Sequence, residues 1–134
     1  VVNAGCLEPL IRRTQGQVEW LTAGGLPLGM EVTPADLRRQ KVETTLRNGD
    51  MVIFMTDGVV EAKNKARQML GFNSLESIVA TGPYHSAEAM KLHILDKVEA
   101  HRGAAEQDDD VTIVVVRVKE NSSHVTQILH QPFE

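Results

Sequence analysis

A single cysteine, Cys6, stands in this chain of 134 residues, so no internal disulfide can brace it. A lone thiol fits a reducing, cytoplasmic setting, and the fold has to be held by its own core. No apolar stretch approaches the roughly 20 residues needed to span a bilayer, and no signal peptide is visible. Positive charge is also scarce. With 14 Lys and Arg against 18 Asp and Glu, the net charge of −4 speaks against a nucleic-acid surface. Arg38, Arg39 and Lys41 form only a short basic cluster, of the kind a solvated face carries. Gly24, Gly25 and Gly29 fit neither a dinucleotide nor a P-loop pattern. There is no Gly-x-Ser-x-Gly elbow, no internal repeat and no low-complexity tract.

What remains is the composition of a soluble globular domain, 42% hydrophobic and 24% charged, with enough chain for a real core. The chain opens on Val1-Val2, already strand-like, which suggests a fragment of a longer protein. "PLIRRTQGQVEWL" reads as two extended runs around Gln15-Gly16, a hairpin. "AGGLPLGMEVTP" reads as loop. Val42 to Leu46 alternates, and Asn48-Gly49 turns it into Met51 to Met55, which predicts a second hairpin. Asn73 is the expected cap of a helix carrying Leu75, Ile78 and Val79, with Glu76 in the capping-box position and Gly82-Pro83 as its stop. Ser86 caps a second helix through Ala87, Met90, Ile94 and Val98, ended by Gly103. Val111 to Val118 is apolar on both faces until Arg117, so a strand covered on both sides is expected. On that reading Val114→Asp buries an unpaired charge and unfolds the domain. Sheet stacked on sheet with helices outside satisfies the pattern.

Two acidic sites stand out. Asp57 ends one apolar strand in "FMTDGVVEAKN", and Asp108, Asp109 and Asp110 begin the other in "QDDDVTIVVV". If the two strands pair antiparallel, the end of one lies beside the start of the other, and Asp57 and Asp109 converge. Mg²⁺ and Mn²⁺ prefer such carboxylate oxygens. Plainer readings stand beside this one. Asp-Gly commonly makes a turn, and three adjacent aspartates commonly make a solvated loop. His85, His93 and His101 are too widely spaced for a one-turn ligand pair and read as surface residues. Cys6 reads as a small core or loop residue.

In order, "NAG", "GGLPLG", "LRNGDMVIFMTDGVVEAKN", "LGF", "SAEAM" and "QDDDVTIVVVRV" resemble the stage II sporulation protein E family of PPM-type, type-2C-like, metal-dependent serine/threonine phosphatases. The similarity runs from about Val2 to Val118. It implies an α+β fold, a β-sandwich flanked by helices, of which residues 1–118 form the C-terminal part and 119–134 a polar tail. Carried over by position, Asp57 resembles the aspartate of the family's Asp-Gly motif, and Asp109 that of its later Asp-Asp/Asn-x-Thr motif. Gly58, Asp108, Asp110 and Thr112 are then supporting residues. Cys6 departs from the histidine that often follows Asn-Ala-Gly, and the family's first metal-binding aspartate falls upstream of Val1.

The implied chemistry is hydrolysis of phosphoserine by water activated between two Mn²⁺ or Mg²⁺ ions, with no covalent intermediate. The implied substrate is a phosphoprotein, an anti-sigma-factor antagonist in bacterial partner switching. An upstream sensor or receiver domain and a homodimer are further expectations. A different class of reading is a non-catalytic, phosphatase-like module that binds a partner or dimerises. Retained carboxylates at both strand ends favour the enzyme.

Overall fold

The computed structural model describes residues 1–30, 33 and 40–119. Arg38, Arg39 and residues 120–134 of the polar tail lie outside the described residues. Among the described residues, four strands and two α-helices follow in chain order: β1 (Leu10–Arg12), β2 (Val18–Trp20), β3 (Met51–Met55), α1 (Phe72–Thr81), α2 (Ala87–Arg102) and β4 (Ile113–Arg117). One antiparallel sheet has the order β2-β1-β3-β4. The expected hairpin is β1–β2, turned at Gly16, whose φ of +90° is the left-handed region that glycine tolerates.

β3 is the centre of the fold. Met51, Ile53 and Met55 alternate toward the helices, where they meet Leu75, Val79, Met90, Ile94 and Val98. Both helices present those residues at four-residue spacing, which places them on one face. Each such side chain contributes about 1.5–3 kcal/mol by leaving water. β3 pairs with β1 on one edge and, over its full length, with β4 on the other, from Met51↔Arg117 to Met55↔Ile113. The neighbour relation expected of these two strands holds.

Three expectations fail for identifiable reasons. Residues 42–46 form no hairpin with Met51–Met55, because both edges of β3 are already taken. Asn48-Gly49 does turn the chain, with Gly49 at φ +88°, but Gly49 donates to the carbonyl of Val118, beyond β4. Asn73 is not the cap of α1, which starts one residue earlier, after Gly71. Glu76 instead accepts a hydrogen bond from the indole of Trp20, tying α1 to β2. And β4 is covered on one face only. Ile113 and Val115 pack toward the helices, whereas Val114 and Val116 are 51% and 48% exposed, beside Phe54. The described residues supply a single sheet, with both helices on one side, so the other side has nothing at β4 to cover it. Val114→Asp loses its premise in this chain. Ser86 does cap α2, accepting from the amide of Ala89, and Gly103 ends it at φ +58°.

Two charged groups, Arg12 and Asp50, are buried in the scaffold, and Asn3 is a buried polar side chain among the described residues. Arg12 reaches the C-terminal end of α1, donating from Nε to the carbonyl of Val79 at 3.0 Å, where a cation also opposes the helix dipole. Asp50, 2% exposed, accepts from Arg13 Nη1 and the Arg47 amide, both at 2.9 Å, and from the amide and hydroxyl of Thr14 at 3.0 and 3.2 Å. Burial pushes this carboxyl up, but the bonds from Arg47, Arg13 and Thr14 outweigh it and bring the pKa down to about 2.

Candidate metal centre

The last residue of β3 is Met55, and Thr56 continues extended before Asp57–Val59 close a single 3₁₀ turn. Thr56 stitches this end of β3 to the approach of β4. Its hydroxyl donates to the Asp110 carbonyl at 2.9 Å and accepts from the Thr112 amide at 3.0 Å, while its own amide donates to the Thr112 carbonyl at 3.1 Å. Gly58 follows because nothing larger fits. A Cβ there would lie 3.1 Å from the carbonyl carbon of Asp110, closer still to its oxygen, and 3.6 Å from the carbonyl carbon of Asp109. Antiparallel pairing therefore brings the Asp57 and Asp109 segments into backbone contact, as the sequence argument required.

The acidic side chains are not equivalent. Asp108 forms an ion pair with Lys63 at 3.0 Å and a longer one with Arg67 at 3.6 Å. The Lys63 hydrogen bond and charge, with Arg67 behind them, hold its carboxyl below the usual carboxylate range. Asp109 uses Oδ1 to accept the amide of Asp110 at 2.7 Å, and its carbonyl accepts from Gln107. The carboxylates of Asp57 and Asp110 have no hydrogen bond or ion pair among the described residues, and Asp57, Asp109 and Asp110 are all exposed. A divalent cation needs several oxygens arranged around one point. Among the described residues no group of three His, Cys, Asp or Glu side chains has that arrangement. Asp57 and Asp109 thus fit a hard cation in type and sign, as part of a ligand set.

The other candidates separate from the site. His85 is exposed, His93 bonds the Ile78 carbonyl and His101 that of Gln68. Cys6 is exposed, on a turn closed by the buried side chain of Asn3. Two contributors escaped the sequence argument, Thr56 and Lys63. Thr56 was visible as the first residue of Thr-Asp-Gly. Lys63 carried no signal, because its partner Asp108 is 45 positions away.

The fold that carries these segments occurs in solved structures. The phosphatase domain of SpoIIE from Bacillus subtilis, solved with a fragment of its regulatory domain, superposes with a TM-score of 0.74 at 23% identity, over 91% of this chain and 33% of that one. The PP2C domain of SiaA from Pseudomonas aeruginosa gives 0.69 at 16% identity, over 84% and 44%. The RsbU and RsbW domains of Rv1364c from Mycobacterium tuberculosis give 0.60 at 22%, over 88% and 31%. Each likeness is of fold, the mixed α/β fold of PP2C phosphatase domains, and this chain spans about a third to under a half of those three chains. Residues 1–119 match the family described as stage II sporulation protein E (SpoIIE), and the chain belongs to that family. Comparison with curated protein sequences finds no match.

Proposed function

We propose that this chain is the part of a metal-dependent protein serine/threonine phosphatase that contributes Asp57 and Asp109 to a Mn²⁺ or Mg²⁺ centre. The observation that carries the reading is the junction of β3 and β4, where Thr56 and Gly58 hold two anionic segments together at one end of the sheet. Bound there, divalent ions would supply positive charge for a phosphoryl group and acidify a water for attack. Asp57 and Asp109 would hold the cation. Gly58 permits the close approach, Thr112 and Thr56 fix the strand ends, and Asp108 is engaged by Lys63. Asp110 stays beside the site as an additional anion. The substrate in this reading is a phosphoserine protein of the anti-sigma-factor-antagonist kind, met in the cytoplasm, with an upstream sensor or receiver domain controlling the encounter and a homodimer as the assembly. The half-exposed face of Phe54, Val114 and Val116 would carry the second sheet of the sandwich, together with the remaining metal ligands.

The test is phosphate release from a phosphoserine protein by the full-length protein, with and without Mn²⁺. Asp57→Asn and Asp109→Asn should each lower turnover by at least about 100-fold, since each removes an anionic ligand while keeping its size. Full activity in Asp57→Asn would overturn the assignment, and metal-independent silence of the wild-type protein would favour a non-catalytic binding module.

A further inference from the structure

A cleft of about 80 Å³ opens between α2 and the two segments that carry Asp57 and Asp109. Its floor is apolar, formed by Ala62, Leu95, Val98 and Val111. Exposed Glu61, Glu99 and Glu106 stand around it, and none of the three has an ion pair or side-chain hydrogen bond among the described residues. Lys63 and Asp108 on the wall neutralise each other at 3.0 Å. Arg102 is then the one unpaired cation on the lining among the described residues, and the free carboxylates outnumber it. These acids surround an apolar floor without converging on a point, so a hard ion is poorly served. An elongated cation is well served. Its alkyl stem can lie on the floor while its charge stays at the wet rim among the carboxylates, as lysine does when it snorkels. The volume admits a few water-sized groups, a match for a straight four-carbon chain.

We propose that this cleft receives a lysine side chain of the phosphoprotein substrate. It rests on the phosphatase reading above and adds a specificity determinant to it. Asp109 lines the cleft as well as the candidate metal centre, so the lysine would lie close in sequence to the phosphoserine. Complementary charge at a partly exposed rim selects between partners more than it binds; each rim pair of this kind alters binding by up to about fivefold, and several carboxylates act together here.

The experiment uses the full-length protein with Mn²⁺ and a set of phosphoserine peptides, each bearing one lysine, or norleucine in its place, at successive flanking positions. At one flank position kcat/KM should be about fivefold to tenfold higher for lysine than for norleucine, and the advantage should shrink as salt rises. In the Glu99→Gln/Glu106→Gln double variant the ratio should fall to within about twofold, with hydrolysis of p-nitrophenyl phosphate unchanged. Equal rates for lysine and norleucine at every position in the wild-type protein would overturn the proposal, as would a ratio untouched by the double variant. A second measurement separates this failure from failure of the phosphatase reading. Fluorescence polarisation of labelled, unphosphorylated lysine and norleucine peptides reads the cleft without catalysis. Selective binding of the lysine peptide, lost in the double variant, supports the cleft even if no peptide is hydrolysed; equal binding of the two peptides refutes it.

Discussion

Replacing Asp50 by Asn tests the scaffold with a perturbation whose size follows from the structure. The carboxyl is shifted from its ordinary 3.8 to about 2, so its ionised form is favoured by folding. A folded pKa below the unfolded one gives stability that is fully present above about pH 4 and is lost as pH falls toward 2. Nearly two pKa units correspond to about 2.5 kcal/mol at neutral pH. Asn keeps the shape but has one acceptor oxygen for four donor contacts. If that oxygen stays with Arg13 and Arg47, the amide hydrogens face the Thr14 N–H, and an unpaired buried donor costs a further ~1 kcal/mol or more. The sum is about 3–4 kcal/mol at pH 7. Urea unfolding followed by the fluorescence of Trp20, the sole tryptophan, should show the midpoint falling by about 1–3 M. The difference between wild type and variant should narrow below pH 4, because the wild-type carboxylate then takes up its proton. A loss under about 1 kcal/mol at pH 7, or one equally large at pH 3, would refute the account.

Ile94→Ala should cost about 2–5 kcal/mol in the same assay, since it empties space against Leu75 and β3. Gly58→Ala should cost at least about 1–3 kcal/mol, because the Asp110 backbone has to move, and it should also weaken metal binding in the full-length protein, measured by titration calorimetry. Val114→Asp should change the stability of this chain by less than about 1 kcal/mol and improve its solubility, yet destabilise the full-length protein severely if a second sheet covers that face; comparable midpoint losses in both would count against the covering sheet. This chain by itself should bind Mn²⁺ weakly and release phosphate from a phosphoprotein at a negligible rate, and robust turnover would show two carboxylates to be enough.

Local chemistry was legible where a residue acts on its own neighbourhood. Ser86 and Gly103 bound α2 as their caps require, and Gln15-Gly16 turns β1 into β2. The β3–β4 pairing was legible too, because only neighbours can bring two aspartates from opposite strand ends together. Failures came where a distant partner decided the outcome. The alternation at 42–46 predicted a strand, but β1 and β4 had taken both edges of β3. Glu76 had the spacing of a capping box and was drawn away by Trp20, 56 positions earlier. The valines of β4 reported hydrophobicity on two faces, and only one of those faces has a partner within the described residues. Of the site, the placement of Asp57 and Asp109 was readable; the engagement of Asp108 by Lys63 needed the fold.

The hydroxyl of Thr56 makes closure of the acidic centre a long-range step in folding. Its bonds to Asp110 and Thr112 close a stretch of more than 50 residues that contains both helices. Chain entropy opposes closing so long a loop early, so α1 and α2 can dock on β3 before β4 zips alongside. An ion drawn to Asp57 and Asp109 would then bind only after the ring is shut, and by mass action it would hold the ring shut. Metal would act on such a chain as a latch on that closure.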